Sequence, residues 1–84
     1  MDRESLLMMY RFLEKIADTN EATSFDSSEE LMVEKLINLV KAQGKTSIAE
    51  DFEKPYIHPM ITIQKWVEEL KLIVSETLRQ GEAH

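Results

Sequence analysis

The sequence predicts an all-α fold: a small bundle of three longer helices plus one short helix, in a single domain over residues 1–84. Apolar residues recur at spacings of three and four along most of the chain, which is the period of a helix with one buried face. Only two glycines and two prolines occur, whereas an all-β chain of this size would need several tight turns. A chain this short buries a small core, so we expect modest stability.

The first predicted helix spans residues 3–17. Its apolar side chains fall on one face at the helical period, and Leu7 and Met8 lie away from that face. The members of the face are Leu6, Met9, Tyr10, Leu13, Ile16 and Ala17. This helix should therefore bury one stripe and leave two large apolar residues outside the core.

The second predicted helix follows a polar segment and has two overlapping start signals. Asp26 with Glu29 and Ser27 with Glu30 each have the spacing of a capping box, in which two residues satisfy each other's free backbone amides. The apolar residues that follow cover nearly half of the circumference, which is typical of a central helix. They are Met32, Val33, Leu36, Ile37, Leu39 and Val40. Gly44 should end the helix, because glycine readily adopts the left-handed conformation.

A short third helix is predicted near residues 46–53. Thr46 and Ser47 are typical helix caps, and Ser47 precedes Glu50 by three residues, as in a capping box. Pro55 limits the helix, because proline disfavours helical geometry in the residue before it. The helix should therefore be short.

The last predicted helix begins between Pro59 and Thr62, since proline suits the first turn of a helix and threonine suits a cap. It is expected to run to residue 79 or 80, with Gly81 as the stop. Its buried stripe contains Met60, Ile63, Trp66, Val67, Leu70, Ile73, Val74 and Leu78. Together the helices should close around a core of Leu13, Ile16, Leu36, Val40, Phe52, Trp66, Leu70 and Ile73.

Composition narrows the possible functions. The chain has no cysteine, which excludes disulfides and thiolate metal ligands. Sixteen acidic against ten basic residues give a net charge of −6, which works against non-specific binding to nucleic acid or to anionic lipid. The N-terminus does not resemble a signal peptide, and no apolar run approaches the roughly 18 residues that suggest a membrane span. We therefore expect a cytoplasmic protein that does not bind membranes.

The sequence favours a non-catalytic function in protein–protein interaction. It contains no glycine-rich phosphate loop, nucleophile elbow or paired histidines, so we expect no enzymatic activity, metal, cofactor or small-molecule substrate. Five large apolar residues fall outside the predicted stripes, and a contiguous apolar patch would mark a contact surface. They are Leu7, Met8, Leu31, Ile61 and Leu72. We expect a small acidic interaction module, either a homodimer or an adaptor or regulatory subunit.

Residues 54–66, KPYIHPMITIQKW, admit more than one interpretation. As a structural joint, the segment would turn the chain while Tyr56 and Ile57 plug the end of the core. As a contact surface, Tyr56, His58 and Trp66 would supply residue types enriched in interface hot spots, so Tyr56 and His58 join the predicted partner-binding residues. A role for His58 as a general base or metal ligand lacks neighbouring catalytic or ligand residues in the sequence.

One alternative function is calcium binding by residues 18–29. This segment partly matches an EF-hand loop. The matching residues are Asp18, Asn20, Asp26 and Glu29. Ala22 offers no side-chain oxygen at a ligand position, and Thr23 stands where the loop needs glycine. A calcium-responsive helix pair is therefore a second alternative.

The other alternative, which we place before calcium binding, is a DNA-binding transcriptional regulator with a helix-turn-helix-like second half. The connection between the third and fourth helices is longer than the usual three or four residues. The outer face of the fourth helix mixes Glu68 and Glu69 with Lys65 and Lys71, so it would gain little from phosphate contacts. Nucleic acid is thus a less favoured partner than protein.

Overall fold

The computed structural model describes residues 2–19 and 24–82, which form four helices. These are α1 (Arg3–Ala17), α2 (Ser27–Ala42), α3 (Thr46–Glu53) and α4 (Pro59–Glu82). The predicted fold class, three longer helices and one short helix, is confirmed. In the part of the chain that the structure describes, no helix is both long enough and apolar enough to cross a bilayer.

Side-chain caps start α1 and α2. The Asp2 carboxylate accepts a hydrogen bond from the Ser5 amide at 3.1 Å. At the start of α2, Asp26 Oδ1 accepts from the Glu29 amide at 2.8 Å, and Glu29 Oε1 accepts from the Asp26 amide at 3.2 Å. This is a complete capping box. The alternative start with Ser27 as the cap is wrong, because Ser27 is already the first helical residue.

Gly44 ends α2 as predicted, with φ of +72°. Its amide binds the Lys41 carbonyl at 3.1 Å, and the Lys45 amide binds the Val40 carbonyl at 3.2 Å, which is the Schellman pattern. The turn is so tight that Lys45 directly caps α3, without a side-chain bond. The predicted cap of α3 is therefore wrong, because Ser47 lies inside the first turn.

α4 begins at the earlier of the two predicted limits. Pro59 is its first residue, and His58 Nδ1 accepts a hydrogen bond from the Met60 amide at 3.1 Å. His58 thus caps the helix, whereas Thr62 lies inside the helix and is buried. The helix departs from helical geometry at Trp66, where φ is −108° and ψ is 15°.

The predicted stop at Gly81 is wrong. α4 continues through Gly81 to Glu82, and Gly81 does not have a positive φ. A glycine ends a helix only where the chain adopts the left-handed turn, and Gly81 does not adopt it. A Cβ at this residue would meet no neighbouring group within 4 Å. The last turn of α4 therefore keeps ordinary helical geometry.

The core lies mainly between α1 and α4, which run antiparallel. Their directions follow from contacts near both ends: Gln64 Nε2 donates to the Thr19 carbonyl at 2.9 Å, and Leu7 shares a groove with Leu78. Six of the eight predicted core residues are buried. They are Leu13, Ile16, Leu36, Val40, Leu70 and Ile73.

The other two predicted core residues, Phe52 and Trp66, are only partly buried and pack against the core from its edge. Phe52 lies near the end of the short helix α3, whose buried residues are Ile48, Ala49 and Asp51. The Trp66 indole donates to Asp51, which holds its ring at the boundary of the core. Their prediction as fully interior residues is wrong for these reasons.

Candidate functional site

All seven predicted partner-binding residues lie on the surface or at its edge. Six of them are large apolar or aromatic side chains with exposed fractions between 38% and 80%. They are Leu7, Met8, Leu31, Tyr56, Ile61 and Leu72. The seventh, His58, is exposed and directly precedes α4, and its ring contacts Phe25. These residues are accessible to a partner, and binding by them remains a prediction.

The seven residues are spread over several helices. Leu31 lies on the outer face of α2, one turn from Glu34 and Lys35, which are also exposed. Tyr56 belongs to the connection between α3 and α4. Leu7 and Met8 are consecutive in α1 and therefore point in directions about 100° apart. The exposed residues consequently do not all belong to one surface.

Leu7 and Leu72 do belong to one surface, which we call the α1–α4 face. A groove of about 320 Å³ between these helices is lined by Leu7, Tyr10, Ser75, Leu78 and Arg79. Leu72 precedes Ser75 by three residues and Arg79 by seven, so it lies on the same side of α4. The Lys71 ammonium lies 5.8 Å from the centre of the Tyr10 ring. The face is thus partly apolar, with cations beside it.

Asp51 is a carboxylate that accepts three side-chain hydrogen bonds, and sequence patterns did not single it out. It lies at the end of α3 with 9% of its surface exposed. Its Oδ2 accepts from Trp66 Nε1 at 2.7 Å and from Lys65 Nζ at 3.0 Å. Its Oδ1 accepts from Lys54 Nζ at 3.0 Å. Asp51 and Lys54 are three residues apart in sequence, whereas the contact with Trp66 depends on the tertiary fold.

These bonds keep Asp51 ionised. The hydrogen bond from Trp66, followed by those from Lys65 and Lys54, holds the pKa of the Asp51 carboxyl well below its usual range. In return, Asp51 raises the pKa of the Lys54 ammonium. Because both carboxylate oxygens are already bound, the group is a weak base and is poorly placed to bind a substrate. It ties α3, the connection and the kinked residue of α4 together, which favours the interpretation of residues 54–66 as a joint. The expectation that Tyr56 plugs the end of the core is wrong, because 80% of its surface is exposed.

His58 also makes structural contacts. Its ring lies 5.3 Å from the Phe25 ring, which in turn lies 5.8 Å from the Phe12 ring. Its Nδ1 accepts the Met60 amide, so that nitrogen is not available as a base or a metal ligand. Of the described residues that line the groove of about 280 Å³ beside His58, Glu30 is the single carboxylate.

The structure gives no added support to a calcium site. Asn20, Ala22 and Thr23 lie outside the described residues. Asp26 and Glu29 bind each other's amides in the capping box, and Glu29 Oε2 also binds Lys15 at 3.4 Å. Within residues 2–19 and 24–82, no three carboxylate or histidine side chains gather in a way that could hold a metal ion.

The basic residues near α3 and α4 mostly lie beside carboxylates. Lys54 and Lys65 bind Asp51, as described above. Two further ion pairs here join Lys41 with Glu53 at 3.2 Å and Lys45 with Glu69 at 3.6 Å. A nucleic-acid phosphate would have to compete with these carboxylates, so the pairs weigh against the helix-turn-helix alternative.

Comparison with family models, curated proteins and solved structures gives no match for this chain. Its geometry defines a small acidic helical domain with a fixed joint at Asp51 and an exposed, partly apolar face on α1 and α4. The chemistry of these residues is therefore the basis for a functional proposal.

Proposed function

We propose that this chain is a small acidic protein–protein interaction module without catalytic activity. It associates with a second copy of itself, or it serves as an adaptor or regulatory subunit of another protein. The observation that supports this proposal is the exposure of Leu7 and Leu72 beside the groove between α1 and α4. Large apolar side chains exposed together on one face are a common mark of a contact site.

A partner would bind this surface because apolar area exposed to water is energetically unfavourable. Each Å² of apolar surface removed from water contributes about 25 cal/mol. Single exposed leucines are common in soluble proteins, but Leu7, Tyr10 and Leu78 line one groove and Leu72 lies on the same side. A partner that covers them gains the burial of several side chains at once.

The polar side chains that could have acted in catalysis make hydrogen bonds to other residues of the chain instead. Asp51 accepts three hydrogen bonds, and His58 Nδ1 caps α4. A catalytic group needs access to a substrate atom and a pKa suited to proton transfer. Asp51 lacks that access, and Nδ1 of His58 already accepts a hydrogen bond, which favours a non-catalytic role. The absence of cysteine from the sequence is compatible with a reducing compartment, and we propose the cytoplasm.

Light scattering coupled to size exclusion tests self-association from micromolar to several hundred micromolar protein. We expect an apparent mass above the 9.8 kDa of the single chain, rising with concentration. Co-purification from the native cell tests the adaptor form of the proposal. A chain that stays monomeric throughout and co-purifies with no protein would overturn the proposed function.

A further inference from the structure

We propose that the α1–α4 face binds a second copy of this chain in an antiparallel, two-fold symmetric dimer. This inference rests on the proposed function and specifies both its partner and its surface. In a two-fold dimer, the same patch on both copies must be complementary to itself. The order of apolar and charged residues along α1 and α4 meets this condition.

The contacts between α1 and α4 fix which residues lie at the same height. Tyr10 faces Lys71, and Leu7 lines the groove together with Ser75. The two-fold axis can therefore lie in the plane of the interface, perpendicular to both helices. It crosses α1 between Leu7 and Tyr10, and it crosses α4 between Leu72 and Ser75. Each helix then lies antiparallel on its own counterpart.

Charges on α4 are complementary about this axis. Glu68 precedes Leu72 by one turn, and Arg79 follows it by two turns; both side chains are exposed. Rotation about the axis brings Glu68 of one copy to Arg79 of the other. Like charges are not brought together at these positions.

The charges on α1 are also complementary about this axis. Arg3 lies one turn before Leu7, and Glu14 lies one turn after Tyr10, with both charged residues exposed. Rotation brings Arg3 of one copy to Glu14 of the other, while Leu7 meets Tyr10. A parallel arrangement would instead place identical charges opposite each other, so the charge order selects the antiparallel dimer.

The size of the face indicates a weak dimer. The 15 residues of α1 give a length of about 22 Å, and two adjacent helices are about 20 Å wide. The resulting area of about 450 Å² is smaller than the roughly 800 Å² that each partner contributes to a standard interface. We therefore expect a weak dimer whose population rises with protein concentration, which sedimentation equilibrium can measure.

The first test compares two adjacent residues of α1. Leu7→Asp should weaken dimerisation at least tenfold, because it places a carboxylate at the centre of the interface. Met8→Asp is the matched control: Met8 is 51% exposed against 38% for Leu7, but it points away from the face. Circular dichroism checks that both variants remain helical.

The second test exchanges charges on α4. Glu68→Arg and Arg79→Glu should each weaken the dimer severalfold, because each creates a like-charged pair across the axis. The double variant Glu68→Arg/Arg79→Glu should recover wild-type affinity within about threefold. These two positions are 11 residues apart, or about 16 Å along the helix, so a contact within one chain cannot explain the recovery.

The outcomes separate this inference from the proposed function. A wild-type dimer that is unaffected by Leu7→Asp, or that is not recovered by the double charge exchange, would overturn the α1–α4 dimer and leave the interaction module standing. A wild-type chain that remains monomeric up to millimolar concentration would overturn the dimer. The adaptor form of the proposed function would then depend on co-purification alone.

Discussion

The two glycines should respond in opposite directions to replacement by alanine. Gly44 has φ of +72° in the turn that ends α2, whereas Gly81 lies in the last turn of α4 without a positive φ. No other group lies within 4 Å of the position a Cβ would take at either residue. The comparison therefore isolates backbone conformation from steric crowding.

The expected magnitudes follow from that difference. An alanine held in the left-handed region costs about 1 to 2 kcal/mol, and the reduced entropy of the unfolded chain offsets part of this cost. Gly44→Ala should thus lower the free energy of unfolding by about 1 kcal/mol, which corresponds to a fall in Tm of roughly 4–8 °C for a domain of this size. Gly81→Ala should instead raise the free energy of unfolding by up to about 0.5 kcal/mol, since alanine favours the helix.

Thermal and urea denaturation followed by circular dichroism measure both effects. Gly44→Asn is the control for the left-handed turn, because asparagine tolerates that conformation better than alanine. It should destabilise the protein less than Gly44→Ala does. The reasoning would be refuted by a Gly44→Ala variant as stable as the wild type, or by equal losses for alanine and asparagine.

Asp51→Asn should destabilise the protein at neutral pH. The difference in free energy of unfolding between this variant and the wild type should shrink as the pH falls below 3.8, because a carboxylate with a lowered pKa stabilises the fold only while the solution favours ionisation. Urea denaturation across this pH range measures the difference, and a constant difference would contradict the interpretation. His58→Ala should cost about 1 kcal/mol through the loss of the bond to the Met60 amide, and His58→Asn should cost less because asparagine also caps helices; equal unfolding midpoints for the two variants would argue against capping. Millimolar calcium should not change the thermal midpoint, because Glu29 already binds within the capping box; a calcium-induced rise that disappears in Asp18→Ala would show that the loop binds calcium after all.

The fixed joint at Asp51 has a consequence for recognition. It holds α3 against α4 at the kinked residue Trp66, on a part of the helix separate from Leu72 and Arg79. Rigid placement of α4 lowers the entropy that a partner must overcome on binding. The joint thus supports the proposed contact face without belonging to it.

Periodicity and capping patterns predicted most of the helices. The bounds of α1 and the capping box of α2 depend on residues within a few positions of one another, and such contacts can be inferred from spacing. The cap of α3 could not be inferred in this way, because Ser47 was available but the Schellman turn at Gly44 had already placed Lys45 in the cap position. The same local pattern that stops α2 at Gly44 failed at Gly81, where the chain keeps ordinary helical geometry.

The exposed residues of the candidate surface could also be predicted, because helical spacing separates Leu7 and Leu72 from the buried stripes. That Leu7 and Leu72 lie on one face could not be predicted, because it depends on α1 packing against α4 rather than against α2, its neighbour in sequence. The same holds for the edge positions of Phe52 and Trp66, which helical spacing assigned to the core.

The amino-acid sequence by itself determined the helical class, the acidic charge and the set of apolar side chains left outside the helix stripes, because these properties depend on composition and short-range spacing. Only the tertiary structure decided that Trp66, Lys65 and Lys54 meet at Asp51, and that Leu7 lines a groove with Leu78 and Arg79 of α4. The physical reason is that these contacts join residues on different helices, whose mutual orientation is set by packing of the whole core and not by any local pattern.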